Sequence, residues 1–266
     1  KKKILKIKII KLFTFICLML LPLSGNSHSL EGAINSKDRD PKNTLRDEYR
    51  NPYETLTFFK IRSDMTVVEL SPGGGWYTEI LANYLHDPGY LIAAHFDPNS
   101  ERSYFKKSRA NFEKKLNSKP MYESVQLVNL FSNLADDNSV DAVLTFRNLH
   151  NWLGPNMDII FLNSFKALKP GGILGIVEHR AKPGTAFDDM KKSGYVSESY
   201  AIKIAEKNGF KFVSKSEINA NYKDSTVHPR GVWTLPPVMR LKDEDREKYL
   251  AIGESDRMTL LFVKPE

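Results

Sequence analysis

The chain has 266 residues, of which 41% are hydrophobic and 27% charged, the composition of an ordinary globular protein with room for one large domain. Its formal net charge of +7 comes from 39 basic and 32 acidic residues, but six lysines lie within the first eleven positions. The other 33 basic residues almost balance the 32 acidic ones, and this near-neutral remainder excludes the basic surface that nucleic-acid binding requires.

Residues 1–29 are predicted to be a secretory signal peptide. The lysine-rich start is followed by the apolar run 12–21 and then by a proline and small polar residues, the order of the charged, apolar and cleavage regions. Cleavage is expected after Ser27 or Ser29, which makes the protein exported and periplasmic. The alternative is an uncleaved leader that anchors the protein in the inner membrane, the one membrane association expected. The single cysteine lies in the leader, so no disulfide or thiolate site is expected.

Residues 30–43 lack an apolar period and are predicted to be a flexible linker. The domain that follows, 44–266, is predicted to open with a helix that Asn51 caps, that starts at Pro52 and that runs to about Ile61. The predicted strands are Thr66–Leu70, Leu91–Phe96, Val125–Val128, Ala142–Phe146, Ile173–Glu178, Phe210–Ile218 and Met258–Val263. The predicted helices between them are Trp76–His86, Ser100–Asn117, Asn156–Leu168 and Ser197–Asn208.

Apolar strands that alternate with helices predict a parallel sheet covered on both faces. The predicted fold class is therefore α/β, with a Rossmann-like, seven-stranded, mostly parallel sheet, helices on both faces and an antiparallel C-terminal strand. The long irregular segment at about 219–257 is predicted to be an insertion that forms a substrate lid. A surface loop is the alternative.

The sharpest motif is the glycine turn Ser71–Gly75, between the first predicted strand and the helix that starts at Trp76. Glycines let a ligand approach the backbone closely, and ligands bind beyond the carboxyl ends of strands in such sheets. A dinucleotide fingerprint requires G-x-G-x-x-G, and Thr78 stands at the third glycine position. Glu69, at the strand end, suits a cationic ligand with an amino-acid group. A tight turn without a ligand is the structural alternative.

Residues Glu69 to Gly75 resemble the first motif of the class I S-adenosylmethionine (SAM)-dependent methyltransferases, with Ser71 in place of the first glycine. Asp141–Leu144 is similar to the fourth strand of that family, and Leu168–Leu174 to the turn into its fifth strand. The segments SPGGGWYTEIL, FRNLHNW and EHRAKPGT resemble an exported group of predicted bacterial methyltransferases. The resemblance implies a SAM cofactor and methyl transfer to a small molecule.

The resemblance also indicates where the cofactor binds. The family ends its second strand in an acid that binds both ribose hydroxyls, and that position is His95 here. Asp97 lies two residues later, on the same side of the strand if the strand extends so far. The residues expected to contact the cofactor are Glu69, Ser71, Gly73, Gly74, Gly75, His95, Asp97, Arg147 and Asn148.

The methyl acceptor is expected above the ends of the fourth and fifth strands. Positioning supplies much of the rate of methyl transfer, and a base is needed when the nucleophile carries a proton. His150 and His179 are the candidate general bases; hydrogen-bonded loop histidines are the alternative. The residues expected to contact a small anionic or aromatic substrate are Trp152, Arg180, Arg230 and Trp233.

Structural roles are the alternative for these side chains: a place in the core for Trp152, and an ion pair with Glu178 or Asp188 for Arg180. No metal is predicted, because the histidines at positions 86, 95, 150, 179 and 228 show no metal-ligand spacing. A different class of function is a non-catalytic exported protein that binds a nucleoside-like or small polar ligand, which the departure at His95 favours. An NAD-dependent oxidoreductase is the least favoured hypothesis because of Thr78.

Overall fold

Seven strands form one sheet in the part of the chain that the computed structural model describes, residues 29–266. In chain order they are β1 (Thr66–Leu70), β2 (Tyr90–His95), β3 (Gln126–Asn129), β4 (Val140–Phe146), β5 (Leu168–His179), β6 (Lys211–Ser216) and β7 (Arg257–Val263). Their order across the sheet is β3-β2-β1-β4-β5-β7-β6. Strands β1 to β5 pair in parallel, and β7 lies antiparallel between β5 and β6. The predicted fold class is confirmed.

The described residues also form ten α-helices, none of which is long and apolar enough to cross a membrane. They are α1 (Leu30–Ile34), α2 (Pro41–Thr44), α3 (Pro52–Phe58), α4 (Trp76–Tyr84), α5 (Ser103–Leu116), α6 (Leu149–Trp152), α7 (Pro155–Ala167), α8 (Phe187–Ser193), α9 (Glu198–Lys207) and α10 (Arg246–Ile252). The predicted leader, apart from Ser29 at the start of α1, lies outside the described residues.

Both faces of the sheet are covered, because neighbouring strand residues point to opposite sides. Val68 and Ile92 belong to one buried cluster, together with side chains of α7 and α9. Val67 and Leu91 belong to a second cluster, with side chains of α3 and α4. The apolar strands predicted from the sequence are therefore buried on both sides, as a parallel sheet requires.

The order of the strands reverses between β1 and β4. The glycine turn follows β1 and therefore starts at the centre of the sheet. Leu70, the last residue of β1, pairs with Ala94 of β2 on one side and with Thr145 of β4 on the other. Strands on the two sides of β1 are connected in opposite directions along the sheet edge, which opens a crevice beyond their carboxyl ends. This crevice contains the candidate site.

Two predictions at the N-terminal end of the domain are wrong. Residues 30–43 are not a flexible linker, because α1 and α2 lie there and Leu30 and Ala33 are buried. Asn51 does not cap α3 with its side chain: it adopts a left-handed conformation with φ 40°, and its Nδ2 donates to the Ile218 carbonyl oxygen at 2.8 Å. A tertiary contact has replaced the local one that the sequence pattern indicated.

Candidate functional site

The glycine turn leaves open space above its backbone. Ser71, Gly73 and Gly75 all have positive φ, of 50°, 60° and 78°, so the chain reverses sharply before α4 begins. A Cβ added at Gly73 or Gly74 would meet no atom within 4 Å. At Gly75 it would lie 2.8 Å from the Lys115 side chain, which makes Gly75 a packing position. Gly73 and Gly74 are therefore the glycines that admit a ligand.

Two cavities adjoin this turn, and the first is aromatic. The aromatic cavity has a volume of about 580 Å³ and is lined by Ser71, Gly73, His95, Asn148 and Trp152 together with Phe96, Tyr104, Phe105 and Phe131. Tyr104 and Phe131 are 71% and 42% exposed, so they offer apolar ring surface that a bound planar group would cover. The cavity suits a nucleoside.

The second cavity is cationic. The arginine pocket has a volume of about 210 Å³, and its lining includes Arg46, Arg50, Arg147, Gly73 and Gly74. Ser71, Gly73 and Asn148 line both cavities. The buried Ser71 Oγ has no hydrogen-bond partner among the described residues. The two cavities are therefore neighbours around one glycine turn, with an unsatisfied hydroxyl beside both.

One carboxylate, Glu254, lies among four guanidinium groups, three of which line the arginine pocket. Glu254 accepts a hydrogen bond from Arg46 Nε at 2.7 Å and from Arg50 Nε at 3.2 Å. Arg147 Nη1 lies 3.6 Å from its Oε2, and Arg257 Nη2 also donates to Oε2. Burial disfavours ionisation of Glu254, but the guanidinium groups outweigh it and hold the pKa of the carboxyl well below its usual range.

The guanidinium groups outnumber the carboxylate, and those of Arg50 and Arg257 are buried. Burial, assisted by the positive charge of Arg147, lowers the pKa of Arg50 to about 7. Arg50 Nη1 and Arg257 Nε have no hydrogen-bond partner among the described residues. Buried N–H groups of charged side chains are costly without a partner, so this cluster suits a bound anion.

Glu69 lies under the glycine turn and lines neither cavity. Its carboxylate is buried and accepts a hydrogen bond from Thr78 Oγ1 at 2.6 Å. Burial raises the pKa of Glu69 to about 7, against the opposing effects of Thr78, Lys115 and Arg147. Glu69 thus ties β1 to α4 beneath the turn, and its contact with the cofactor stays a prediction.

Glu69→Gln is expected to make the protein more stable relative to the wild type as the pH rises from about 4.5 to about 7. The folded chain holds a proton on Glu69, with a pKa of about 7, that the unfolded chain releases near its ordinary pKa of 4.5. The stabilisation that this proton gives the wild type is complete below about pH 4.5 and is lost by about pH 7. The amide still accepts from Thr78. Urea unfolding at pH 5 and pH 8 measures the effect, and an equal difference at both would contradict it.

The second strand ends at His95, so Asp97 does not extend it as the sequence allowed. Asp97 is exposed and accepts from the backbone N–H of Asn99. His95 lines the aromatic cavity, but both of its ring nitrogens are used. Nδ1 accepts from the Phe96 N–H at 2.8 Å, and Nε2 therefore carries the proton and lies 3.3 Å from the Gly73 carbonyl oxygen. Burial lowers the pKa of His95 to about 4, so a neutral imidazole holds the glycine turn.

His150, Glu178 and His179 form the third part of the site, where β4 and β5 end. His150 Nδ1 lies 3.0 Å from Glu178 Oε1, and the His150 and His179 rings are 5.2 Å apart. Glu178 Oε1 also accepts from the His179 backbone N–H at 2.7 Å. Burial, followed by the charges of His150 and nearby arginines, holds the pKa of His179 well below its usual range. The two predicted bases are thus neighbours, joined by a buried carboxylate.

The four predicted substrate residues do not lie together, because Trp152 lines the aromatic cavity. Arg230 and Trp233 line the basic cavity, a space of about 620 Å³ that includes Lys182, Lys192, Tyr195, His228 and Arg240. Arg180 lies outside that lining, because Asp256 pairs with it through two hydrogen bonds of 2.8 and 2.9 Å and Glu217 through a third of 2.8 Å. An ion pair was the structural alternative for Arg180. The pair is present, but its partners are Asp256 and Glu217 instead of the predicted Glu178 or Asp188.

The cluster around Glu254 was not predicted from the sequence. Arg46 and Arg50 were the one available signal, since they lie four residues apart just before α3. Glu254, between α10 and β7, and Arg257, the first residue of β7, follow more than 200 positions later, at the end of the segment that was predicted to be a lid. Charged residues at such separations give no local pattern that a reading of the sequence can detect.

Comparisons with known proteins agree with this geometry. The sequence model of the family described as Methyltransferase domain matches residues 68–176, which contain the glycine turn and most of β5. No curated protein matches the chain. Among solved structures, a SAM-dependent methyltransferase from Aquifex aeolicus superposes with a TM-score of 0.56 at 17% identity, covering 85% of this chain and 94% of its own.

Two further structures show the range of this fold. Geranyl diphosphate methyltransferase in complex with SAM has a TM-score of 0.56 at 10% identity, with 88% of this chain and 94% of its own covered. The cyclase SpnF has a TM-score of 0.58 at 14% identity, with 82% and 81% covered, so the fold alone does not determine the reaction. Residues 68–176 are similar to the Methyltransferase domain family, and the chain has the Rossmann-like fold of the class I SAM-dependent methyltransferases.

Proposed function

We propose that the protein transfers a methyl group from SAM to a small anionic molecule. The observation that carries this proposal is the meeting of the aromatic cavity and the arginine pocket at Ser71, Gly73 and Asn148. SAM has an aromatic nucleoside at one end and a carboxylate at the other. The two cavities supply ring surface for the first and guanidinium groups for the second.

In this proposal the adenine lies against the exposed rings of Tyr104 and Phe131, where stacking and burial favour it. The methionine carboxylate lies in the arginine pocket, within reach of the unpartnered Arg50 Nη1. A carboxylate binds a guanidinium through paired hydrogen bonds. Because both ring nitrogens of His95 are already bonded, the ribose is expected to be held by backbone and Ser71 instead of by a side-chain acid.

The acceptor is proposed to enter through the basic cavity. Its side chains include Lys182, Lys192, Arg230 and Arg240, whereas Asp189 is the one carboxylate in its lining. This imbalance favours an anionic substrate. Trp233 lies on the same wall, with the Arg240 guanidinium 4.9 Å from its ring centre, and it offers a face on which an aromatic acceptor can stack.

His150 connects the cofactor side to the acceptor side. Its ring lies 6.0 Å from Trp233 of the basic cavity, and the next two residues along the chain, Asn151 and Trp152, line the aromatic cavity. These distances support a role for the cluster of His150, Glu178 and His179 in activating an acceptor that carries a proton. Methyl transfer itself is an in-line displacement, for which the cavities supply position and orientation.

SAM binding is tested by calorimetric titration of the purified protein, with NAD as a comparison ligand. The matched variant is Gly74→Val, because Gly74 has open space around its Cβ position and no positive φ. The added side chain is expected to leave the melting temperature nearly unchanged while weakening SAM binding at least tenfold. Absence of SAM binding to the wild type at about millimolar concentration, or equal affinity in the variant, would contradict the proposal.

A further inference from the structure

We infer that His150, Glu178 and His179 bind a divalent transition-metal ion, with Zn²⁺ as the ion that this donor set suits best. Two imidazoles and one carboxylate are a donor set found in zinc sites that keep an open position for a substrate or water. The inference deepens the proposed function, because the ion would activate the acceptor there. Metal binding itself does not depend on methyl transfer and can be measured separately.

The donor atoms are already close together. One donor atom from each of the three residues lies within 4.8 Å of the other two. His150 Nδ1 and Glu178 Oε1 are 3.0 Å apart. Two ligands bound tetrahedrally to Zn²⁺ are separated by about 3.4 Å, given bond lengths near 2.1 Å. Only small side-chain movements therefore separate the observed cluster from a coordination site.

A second contact orients one of the proposed ligands. His179 Nδ1 lies 2.5 Å from Ser255 Oγ, and Ser255 is buried. Histidines that bind metals usually donate their other ring N–H to such an acceptor, which fixes the ring and the tautomer. With Nδ1 bonded to Ser255, Nε2 is the nitrogen that His179 offers to the ion.

The charge of Glu178 also points to a cation. Glu178 is completely buried, and its hydrogen bonds come from His150 and from the backbone N–H groups of His150 and His179. Among the described residues no lysine or arginine forms an ion pair with it. A buried carboxylate requires a positive partner, and a divalent ion between the carboxylate and the imidazoles supplies one.

The arginine cluster acts against a cation at this position, since Arg50, Arg147 and Arg257 all influence His179 electrostatically. Glu254 balances part of that charge by pairing with these guanidinium groups. The positive charge that Glu254 leaves unbalanced is best balanced by an anionic group bound to the ion itself. An acceptor with a deprotonated hydroxyl or a carboxylate supplies that group, so the metal site and the anionic substrate favour each other.

The basic cavity lies next to the three proposed ligands. Trp233 and Tyr195 line that cavity, and their rings lie 6.0 Å from His150 and 6.2 Å from His179. A site with three protein ligands and an accessible fourth position belongs to the catalytic type, whereas structural zinc sites are closed by four protein ligands. A bound acceptor oxygen would lose its proton more readily than in water.

The test is a titration of the EDTA-treated full chain with Co²⁺, followed by displacement with Zn²⁺. We expect one equivalent of Co²⁺ with the visible absorption of a four- or five-coordinate site, and loss of that absorption when Zn²⁺ is added. His179→Ala and Glu178→Gln are expected to weaken Co²⁺ binding at least about 100-fold, and Ser255→Ala about tenfold. The glutamine variant keeps an acceptor for His150, which preserves the local packing.

His86→Ala is the control, because His86 is an exposed histidine that lies outside the cluster and outside the basic cavity. It is expected to bind Co²⁺ as the wild type does. Equal affinity in His179→Ala and the wild type, or no Co²⁺ binding at about millimolar concentration, would overturn the inference. SAM titration in EDTA is measured in parallel, so failure of the metal site is distinguished from failure of the SAM site.

Discussion

Glu254→Gln is expected to lower the free energy of unfolding by about 3–5 kcal/mol, the usual cost of removing one partner from a buried ion pair. Glu254 is the carboxylate that Arg46, Arg50, Arg147 and Arg257 share, and its side chain is 2% exposed. The amide keeps the shape and loses the charge. Four guanidinium groups would then repel one another in a region that water reaches poorly.

Urea unfolding at neutral pH and fixed ionic strength measures the effect of Glu254→Gln. Glu217→Gln is the matched control: Glu217 pairs with Arg180 at 2.8 Å but its side chain is 47% exposed, so we expect a loss below about 1 kcal/mol. Sulfate is expected to restore part of the stability of the Glu254 variant by binding the unpaired N–H groups. A loss for Glu254→Gln no larger than that of the control would contradict the cluster's structural role.

The pH dependence of the same cluster follows from the lowered pKa of Glu254. A carboxyl whose folded pKa lies below its unfolded pKa stabilises the protein above the unfolded value, and this contribution is lost as the pH falls further. The difference in stability between the wild type and Glu254→Gln is therefore expected to shrink below about pH 4.5. Unfolding measured across the acid range tests the direction.

His150→Ala is expected to reduce turnover by about 10²- to 10⁴-fold, the range that loss of a group acting on a reacting proton produces. SAM affinity is expected to change less than about twofold, because His150 lines neither the aromatic cavity nor the arginine pocket. The alanine also leaves Glu178 without its imidazole partner at 3.0 Å. Because His150 lies outside both cofactor cavities, the substitution is expected to lower turnover without an equal loss of SAM affinity.

Turnover is measured as S-adenosylhomocysteine formed from SAM with an acceptor that the wild type methylates, chosen from a panel of small carboxylic acids and phenols. The control is His86→Ala, a substitution of an exposed histidine between α4 and β2, which is expected to retain full activity. Full activity in His150→Ala would remove the cluster from the reaction. Equal loss of SAM affinity and turnover would instead indicate a structural effect.

The strand and helix pattern was predictable because its causes are local. The apolar runs that became β1, β2 and β4 are continuous, as expected for strands buried on both faces, and the glycine turn follows β1 directly. The end of β2 at His95 has a cause that is not local. Whether Asp97 extended β2 depended on where hydrogen bonding to β3 stopped, and that pairing ends with His95 and Asn129.

The sequence by itself determined the fold class, the glycine turn at the centre of the sheet, and the two histidines at the ends of β4 and β5. Only the tertiary structure decided which charged groups lie together: residues 46 and 50 with 254 and 257, and His150 with Glu178. The physical reason is that hydrophobic periodicity is set by neighbouring residues. Electrostatic partners are chosen by proximity in space, after the sheet has brought distant segments together.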